Sequence, residues 1–126
     1  MRKRKKILIV DDELGIRELL TEGLSQRGYE TSTAMDGWEG LEETERFQPD
    51  LILLDVMMPI MDGWKMLTQL RSAERTRNIP VVMLTAKSDT EALFKSVQQR
   101  AADYFIKPIN MDELLTFIKR YIDLKE

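Results

Sequence analysis

The stretch LILLDVMMP at residues 51–59 decides the fold. Four apolar residues are closed by an aspartate, and Gln48-Pro49-Asp50 precedes them as a break. A short apolar run bounded in this way has the length and content of a buried parallel strand. The same design recurs on either side, as ILIVDDE at 7–13, VVMLTAK at 81–87 and YFIKP at 104–108. Asp11, Asp12, Asp55, Thr85 and Lys107 are then all expected at carboxyl ends of strands. In open α/β sheets that edge is where ligands bind. Three carboxylates, a hydroxyl and an ammonium group on one edge suit a divalent cation and a phosphoryl group.

Helical patterns fill the gaps between these runs. After a strand at Lys6–Val10, Ile16, Leu19, Leu20 and Leu24 fall on one helical face, and Gly28 ends that helix. Tyr29–Ala34 reads as the second strand. Asp36 with Glu39 predicts a capping box for a helix running to about Phe47. Strand three is expected at Leu51–Leu54, a helix at Trp64–Ser72 and strand four at Ile79–Leu84. Ser88 with Glu91 predicts a second capping box, opening a helix to about Arg100. Tyr104–Ile106 is a short fifth strand, and Asn110 with Glu113 a third capping box. The last helix is expected to bury Leu114, Leu115, Ile118, Tyr121 and Ile122. Five βα units without a linker imply one doubly wound domain, a parallel sheet with helices on both faces.

Composition removes whole classes of chemistry. The chain has 126 residues, no cysteine and no histidine. Disulfides, thiolate metal sites, thiol nucleophiles, imidazole bases and phosphohistidine intermediates are therefore excluded. Carboxylates, hydroxyls and lysine must carry any reaction. The one strong charge run is Arg2-Lys3-Arg4-Lys5-Lys6; removing its five positive charges takes the net from −3 to −8. It reads as a solvated lead-in to the first strand around an acidic body. No apolar stretch approaches the ~18 residues of a membrane span, and Ile7–Val10 is too short for a secretory signal. A cytoplasmic location is expected.

Asp11-Asp12-Glu13, Asp55 in LLDVMMPIMDG, Thr85 in LTA and Lys107 in IKP together resemble the receiver domain of bacterial two-component response regulators. The resemblance covers essentially the whole chain, with residues 1–126 as a single receiver domain and 1–5 as the basic lead-in. It implies the flavodoxin-like (βα)5 fold, a five-stranded parallel sheet of order 2-1-3-4-5. It implies that Asp55 accepts a phosphoryl group from a sensor kinase phosphohistidine in a Mg²⁺-dependent reaction. Asp12 and Asp55 would ligate the cation directly, Asp11 through water, and the Met57 backbone carbonyl would complete the protein ligands. Lys107 would pair with the acceptor or its phosphoryl oxygens, and Thr85 would donate its hydroxyl after transfer. Small Ala86 would leave room for the donor. Thr85 and Tyr104 would then act as a switch for the face formed by helix 4, strand 5 and helix 5.

The resemblance also implies the partners. They are a sensor histidine kinase or phosphotransfer protein, a downstream protein target or effector domain, and a homodimer formed on phosphorylation. Nucleic acid and membrane are not expected to bind directly. Without an effector domain in the sequence, a stand-alone receiver is expected, with an excised receiver as the alternative. Self-catalysed phosphorylation and dephosphorylation would make it a phosphoacceptor signalling domain, not an enzyme in the ordinary sense. Arg100, Ala102 and Ile109 depart from the residues common at their positions, near the expected output face. Met57 and Lys87 stand two residues beyond the acceptor and the threonine, and the resemblance implies that side chains at these positions would tune phosphoryl lifetime. A phosphohydrolase with an aspartyl nucleophile would want an acidic residue at position 57. A flavin-binding protein would want a hydroxyl- and glycine-rich loop where Asp11-Asp12-Glu13 stands.

Overall fold

The apolar runs form the strands expected of them. The computed structural model describes residues 4–122. Strands β1 (Lys6–Val10), β2 (Glu30–Ala34), β3 (Leu51–Asp55), β4 (Val81–Thr85) and β5 (Asp103–Ile106) alternate with five helices. These are α1 (Leu14–Gln26), α2 (Gly37–Phe47), α3 (Gly63–Ser72), α4 (Ala92–Gln98) and α5 (Met111–Tyr121). All strand pairs are parallel, in the order β2-β1-β3-β4-β5. The doubly wound sheet implied by the alternation is the one observed.

Helices on both faces explain why the central strands are apolar throughout. Ile7, Ile9, Leu51, Leu53, Val82 and Leu84 pack under α1 and α5, against Leu20, Leu24, Leu114 and Ile118. The alternate residues Leu8, Val10, Ile52, Leu54, Val81 and Met83 pack under α2, α3 and α4. Strand period two assigns neighbouring residues to opposite layers. Each such aliphatic side chain contributes about 1.5–3 kcal/mol when fully buried.

Backbone pairing continues past the strand ends at the carboxyl edge. Asp11 N–H donates to the Ala34 carbonyl (3.1 Å), Val56 N–H to Leu84 (3.0 Å) and Lys107 N–H to Thr85 (2.8 Å). The residues that follow the strands are thus held by the sheet itself.

Local chemistry sets the helix ends. Gly28 adopts φ 95°, the Tyr29 N–H donates to the Leu24 carbonyl and the Gly28 N–H to Ser25. That is a Schellman motif, and the left-handed residue is the glycine. Asp36 Oδ1 accepts from the Glu39 N–H (2.8 Å), and Glu39 reaches back to the Met35 N–H (2.8 Å). Asn110 caps α5 by accepting from the Glu113 N–H.

Four expectations are corrected. The Ser88–Glu91 capping box does not form, and α4 covers only Ala92–Gln98. Asp89 Oδ1 instead accepts the Glu91 N–H (3.1 Å), a local turn that competes with the helix start. Leu19 is 45% exposed, because the buried stripe of α1 runs through Leu20 and Leu24. Leu115 and Tyr121 are only half-buried on α5. Strand β4 begins at Val81 and not Ile79, after Pro80, which has no N–H to give to a ladder. Of the basic run, positions 2 and 3 lie outside the described residues. Lys6 opens β1, with Nζ donating to the Phe47 carbonyl (3.3 Å) and lying over the Phe47 ring.

Candidate functional site

The carboxyl edge brings the expected side chains together. Asp11, just after β1, is fully buried. Its Oδ1 accepts from the Glu13 N–H (2.9 Å) and its Oδ2 from Lys107 Nζ (3.1 Å). Asp55, the last residue of β3, is 4% exposed, and its Oδ1 accepts from the same Lys107 Nζ (3.2 Å). The Met57 N–H reaches Asp55 Oδ1 at 3.4 Å, while the Met57 side chain is exposed. Asp12 is exposed at the rim. One carboxylate oxygen from each of Asp11, Asp12 and Asp55 lies within 4.8 Å of the others.

Thr85 ends β4, the strand beside β3, and is buried. Its Oγ1 has no hydrogen-bond partner. A buried hydroxyl left unpaired is costly. Tyr104 pairs in register with Met83 and packs, half-buried, against the apolar layer under α2, α3 and α4. Ala86 and Lys87 are exposed just beyond Thr85.

Burial dominates the electrostatics. It pushes Asp55 up from 3.8 to about 6, and the neighbouring Asp11 carboxylate adds to the rise. The Lys107 charge and hydrogen bond pull back only part of the way. Burial by itself would lower Lys107, but the Asp55 and Asp11 carboxylates outweigh it and raise the ammonium. A single ammonium thus faces two buried carboxylates, with Asp12 and Glu13 adding negative charge at the rim. The donor set fits a hard divalent cation: it is all oxygen, crowded and short of positive charge.

Three contributors were not visible in the sequence reading. Glu13 Oε1 lies 3.7 Å from Lys107 Nζ, so the lysine is shared among three carboxylates. Arg17 Nη1 donates to the Asp11 carbonyl (2.8 Å) and anchors the acidic turn from α1. Gly63, the first residue of α3, donates its N–H to the Val56 carbonyl (2.9 Å). A Cβ at position 63 would lie 2.3 Å from the Asp55 carbonyl oxygen and 3.0 Å from the Val56 Cα. The glycine is therefore required by clearance against the backbone of Asp55. Its neighbour Asp62 caps α3 by accepting from the Lys65 N–H (2.9 Å), and the Asp-Gly pair was the signal available in the sequence.

Comparison with known proteins bears on the family and the fold. Residues 7–119 match the response regulator receiver domain model. Sporulation initiation phosphotransferase F of Bacillus subtilis is 38% identical over 121 residues, covering 96% of this chain and 96% of that protein. The DNA-binding dual master transcriptional regulator RpaA of Synechocystis is 39% identical over 114 residues, covering 90% of this chain but 47% of that regulator. The chain thus spans nearly all of one relative and about half of another. The solved structure of chemotaxis protein CheY4 of Vibrio cholerae superposes with a TM-score of 0.90 at 32% identity, covering 95% of this chain and 100% of that one. Among the described residues no helix is long and apolar enough to cross a membrane. Sequence, sheet order and the acidic edge agree, and the chain belongs to the response regulator receiver domain family.

Proposed function

We propose that Asp55 accepts a phosphoryl group from the phosphohistidine of a sensor kinase or phosphotransfer protein, and that this modification resets the face formed by α4, β5 and α5. The observation that carries the reading is Lys107 Nζ held between two buried carboxylates, 3.1 Å from Asp11 and 3.2 Å from Asp55, with the unpaired Thr85 hydroxyl on the adjoining strand. Receiver domains are signalling domains and not classical enzymes. The family uses Mg²⁺ at an acidic pocket. Here the carboxylates of Asp11, Asp12 and Asp55 and the backbone carbonyl of Met57 would hold it, and when bound it neutralises charge on carboxylate and phosphoryl oxygens.

The chain's own residues do the rest. Asp55, lifted to about 6, is largely ionised at neutral pH and available as a nucleophile. Its carboxylate oxygen attacks phosphorus in line. An O–P bond forms as the N–P bond to imidazole breaks, and the electron pair of that bond stays on the leaving nitrogen. Positioning and charge neutralisation supply most of the acceleration in such transfers. Lys107 meets the new phosphoryl oxygens, and Thr85 gains in them the hydrogen-bond partner it lacks. By analogy with other phosphorylation, the modification adds about −1.5 to −2 charge and three acceptor oxygens. Movement of Thr85 frees space for Tyr104 to turn inward, which shifts the balance between two states of the α4–β5–α5 face. A downstream protein, an effector domain or a second copy of the chain reads that face.

The test is the intact mass of the protein after incubation with Mg²⁺ and acetyl phosphate, with EDTA and Asp55→Asn controls. One phosphoryl adduct, absent from both controls, is expected. An adduct that persists in Asp55→Asn would remove Asp55 from the role.

A further inference from the structure

Three unfavourable features meet at the C-terminal ends of α3 and α4, the opposite end of the sheet from Asp55. Arg71, in the last turn of α3, is half-buried, and its Nη1 is buried with no hydrogen-bond partner. Arg100 is the second guanidinium there. Arg71 Nε donates to the Arg100 carbonyl (2.9 Å), and Arg100 Nη2 reaches the Arg71 carbonyl at only 3.5 Å. The two like charges oppose each other: burial lowers Arg71 and the Arg100 charge lowers it further. No carboxylate answers them, since neither residue makes an ion pair among the described residues. The third feature is backbone. Arg100 holds φ 62°, in the left-handed region that glycine adopts without strain. The Ala101 N–H to Ser96 (2.9 Å) and Arg100 N–H to Val97 (3.3 Å) bonds make the α4 end a Schellman motif with arginine in the glycine position.

Capping the helix ends explains part of this, since cations are favourable near C-terminal carbonyls. It does not explain an unpaired buried Nη1, a second guanidinium with no acid, or a strained arginine where glycine would serve. A doubly charged oxyanion accepting from both forks would pair the buried Nη1 and answer both charges, and would account for an arginine at a position where the backbone favours glycine, because guanidinium groups pair with planar or tetrahedral oxyanions through parallel N–H donors. We propose that Arg71 and Arg100 form a binding site for a phosphate-class oxyanion, joining the end of α3 to the α4–β5 turn. The Arg100 side chain is exposed and weakly held, so it can swing outward to admit the ligand to Arg71 Nη1. The Thr68 Oγ1 to Gln99 Oε1 bond (3.1 Å) already ties the same two elements together, so an anion there would strengthen an existing contact.

The experiment is a titration of ¹⁵N-labelled protein in EDTA, followed by amide and Arg Nε–H shifts. Its ligands are inorganic phosphate, glycerol phosphate and acetate. Saturable shifts at Arg71, Gln99 and Arg100 with inorganic phosphate are expected, with a millimolar Kd and at least about tenfold weaker binding in Arg100→Gly. Arg100→Asn also tolerates the left-handed backbone and should lose the anion in the same way. Shifts with glycerol phosphate too would assign the site to esterified phosphate as well as the free ion. The proposal is overturned by three results: no saturable shift, binding unchanged in both variants, or acetate binding as well as phosphate. None of these outcomes bears on Asp55.

Discussion

Replacing Asp55 by asparagine should stabilise the metal-free protein, and the size of the effect follows from its surroundings. The carboxyl is 4% exposed, beside the fully buried Asp11, and is held at about 6 against an ordinary 3.8. A carboxylate raised in the folded state binds its proton more tightly there than in the unfolded chain. Below 3.8 both states are protonated and the group contributes nothing. Between 3.8 and about 6 stability falls as pH rises, and above about 6 the whole cost of holding the charge is present. Each pH unit of that interval is about 1.4 kcal/mol, so the full cost is about 3 kcal/mol. Asparagine keeps the shape and removes the charge, while Lys107 retains Asp11 at 3.1 Å.

Asp55→Asn in EDTA at about pH 7.5 should therefore gain roughly 1–3 kcal/mol, a rise of roughly 3–12 °C in Tm for a domain of this size. Urea unfolding followed by circular dichroism measures it. At about pH 4.5 the gain should shrink to about 1 kcal/mol or less. Added Mg²⁺ should also narrow the gap, because a ligand that binds only the folded wild type raises its stability by mass action. A variant that is equal to or weaker than wild type in EDTA, or a gain that persists on acidification, would refute the reasoning.

Three further substitutions probe the same edge. Lys107→Ala leaves two buried carboxylates uncompensated, so it should cost at least about 1–3 kcal/mol in EDTA, largely recovered by Mg²⁺. It should still take some phosphoryl group from acetyl phosphate while phosphorylation-dependent partner binding is lost; partner binding as in wild type would contradict the coupling role. Thr85→Val swaps a buried unpaired hydroxyl for a methyl, so urea midpoints should show a gain of about 1 kcal/mol, with the response to phosphorylation abolished; a loss of stability would mean that Oγ1 is already satisfied. Gly63→Ala drives a Cβ into the Asp55 carbonyl, so it should cost about 1–3 kcal/mol and weaken Mg²⁺ binding measured by calorimetry. Unchanged affinity would show that the acceptor's backbone does not depend on that clearance.

The site was legible in the sequence to the extent that it depends on strand ends. An apolar run of strand length, closed by a polar residue, is a local signal. Parallel winding then carries every such residue to one edge, which is why Asp11, Asp12, Asp55, Thr85 and Lys107 were all found together. The same reasoning failed where two local acceptors competed, as when Asp89 took the Glu91 N–H and shortened α4. It failed again on α1, where Leu19 sits beside the buried stripe and the helical period cannot say how wide that stripe is.

The sequence by itself determined the layered parallel sheet and the chemical content of its carboxyl edge, because strand period and apolar runs are properties of neighbouring residues; the strand order came only as an implication of the family resemblance. Only the tertiary structure decided how that content is arranged. Lys107 bonds Asp11 across 96 positions of chain, Glu13 turns toward the same ammonium, and Gly63 clears the Asp55 backbone. The same holds for the unpaired Thr85 hydroxyl and for two arginines that meet without an acid. These contacts depend on strand register, sheet twist and the return path of each helix, which set distances between residues far apart in sequence and which no local pattern encodes.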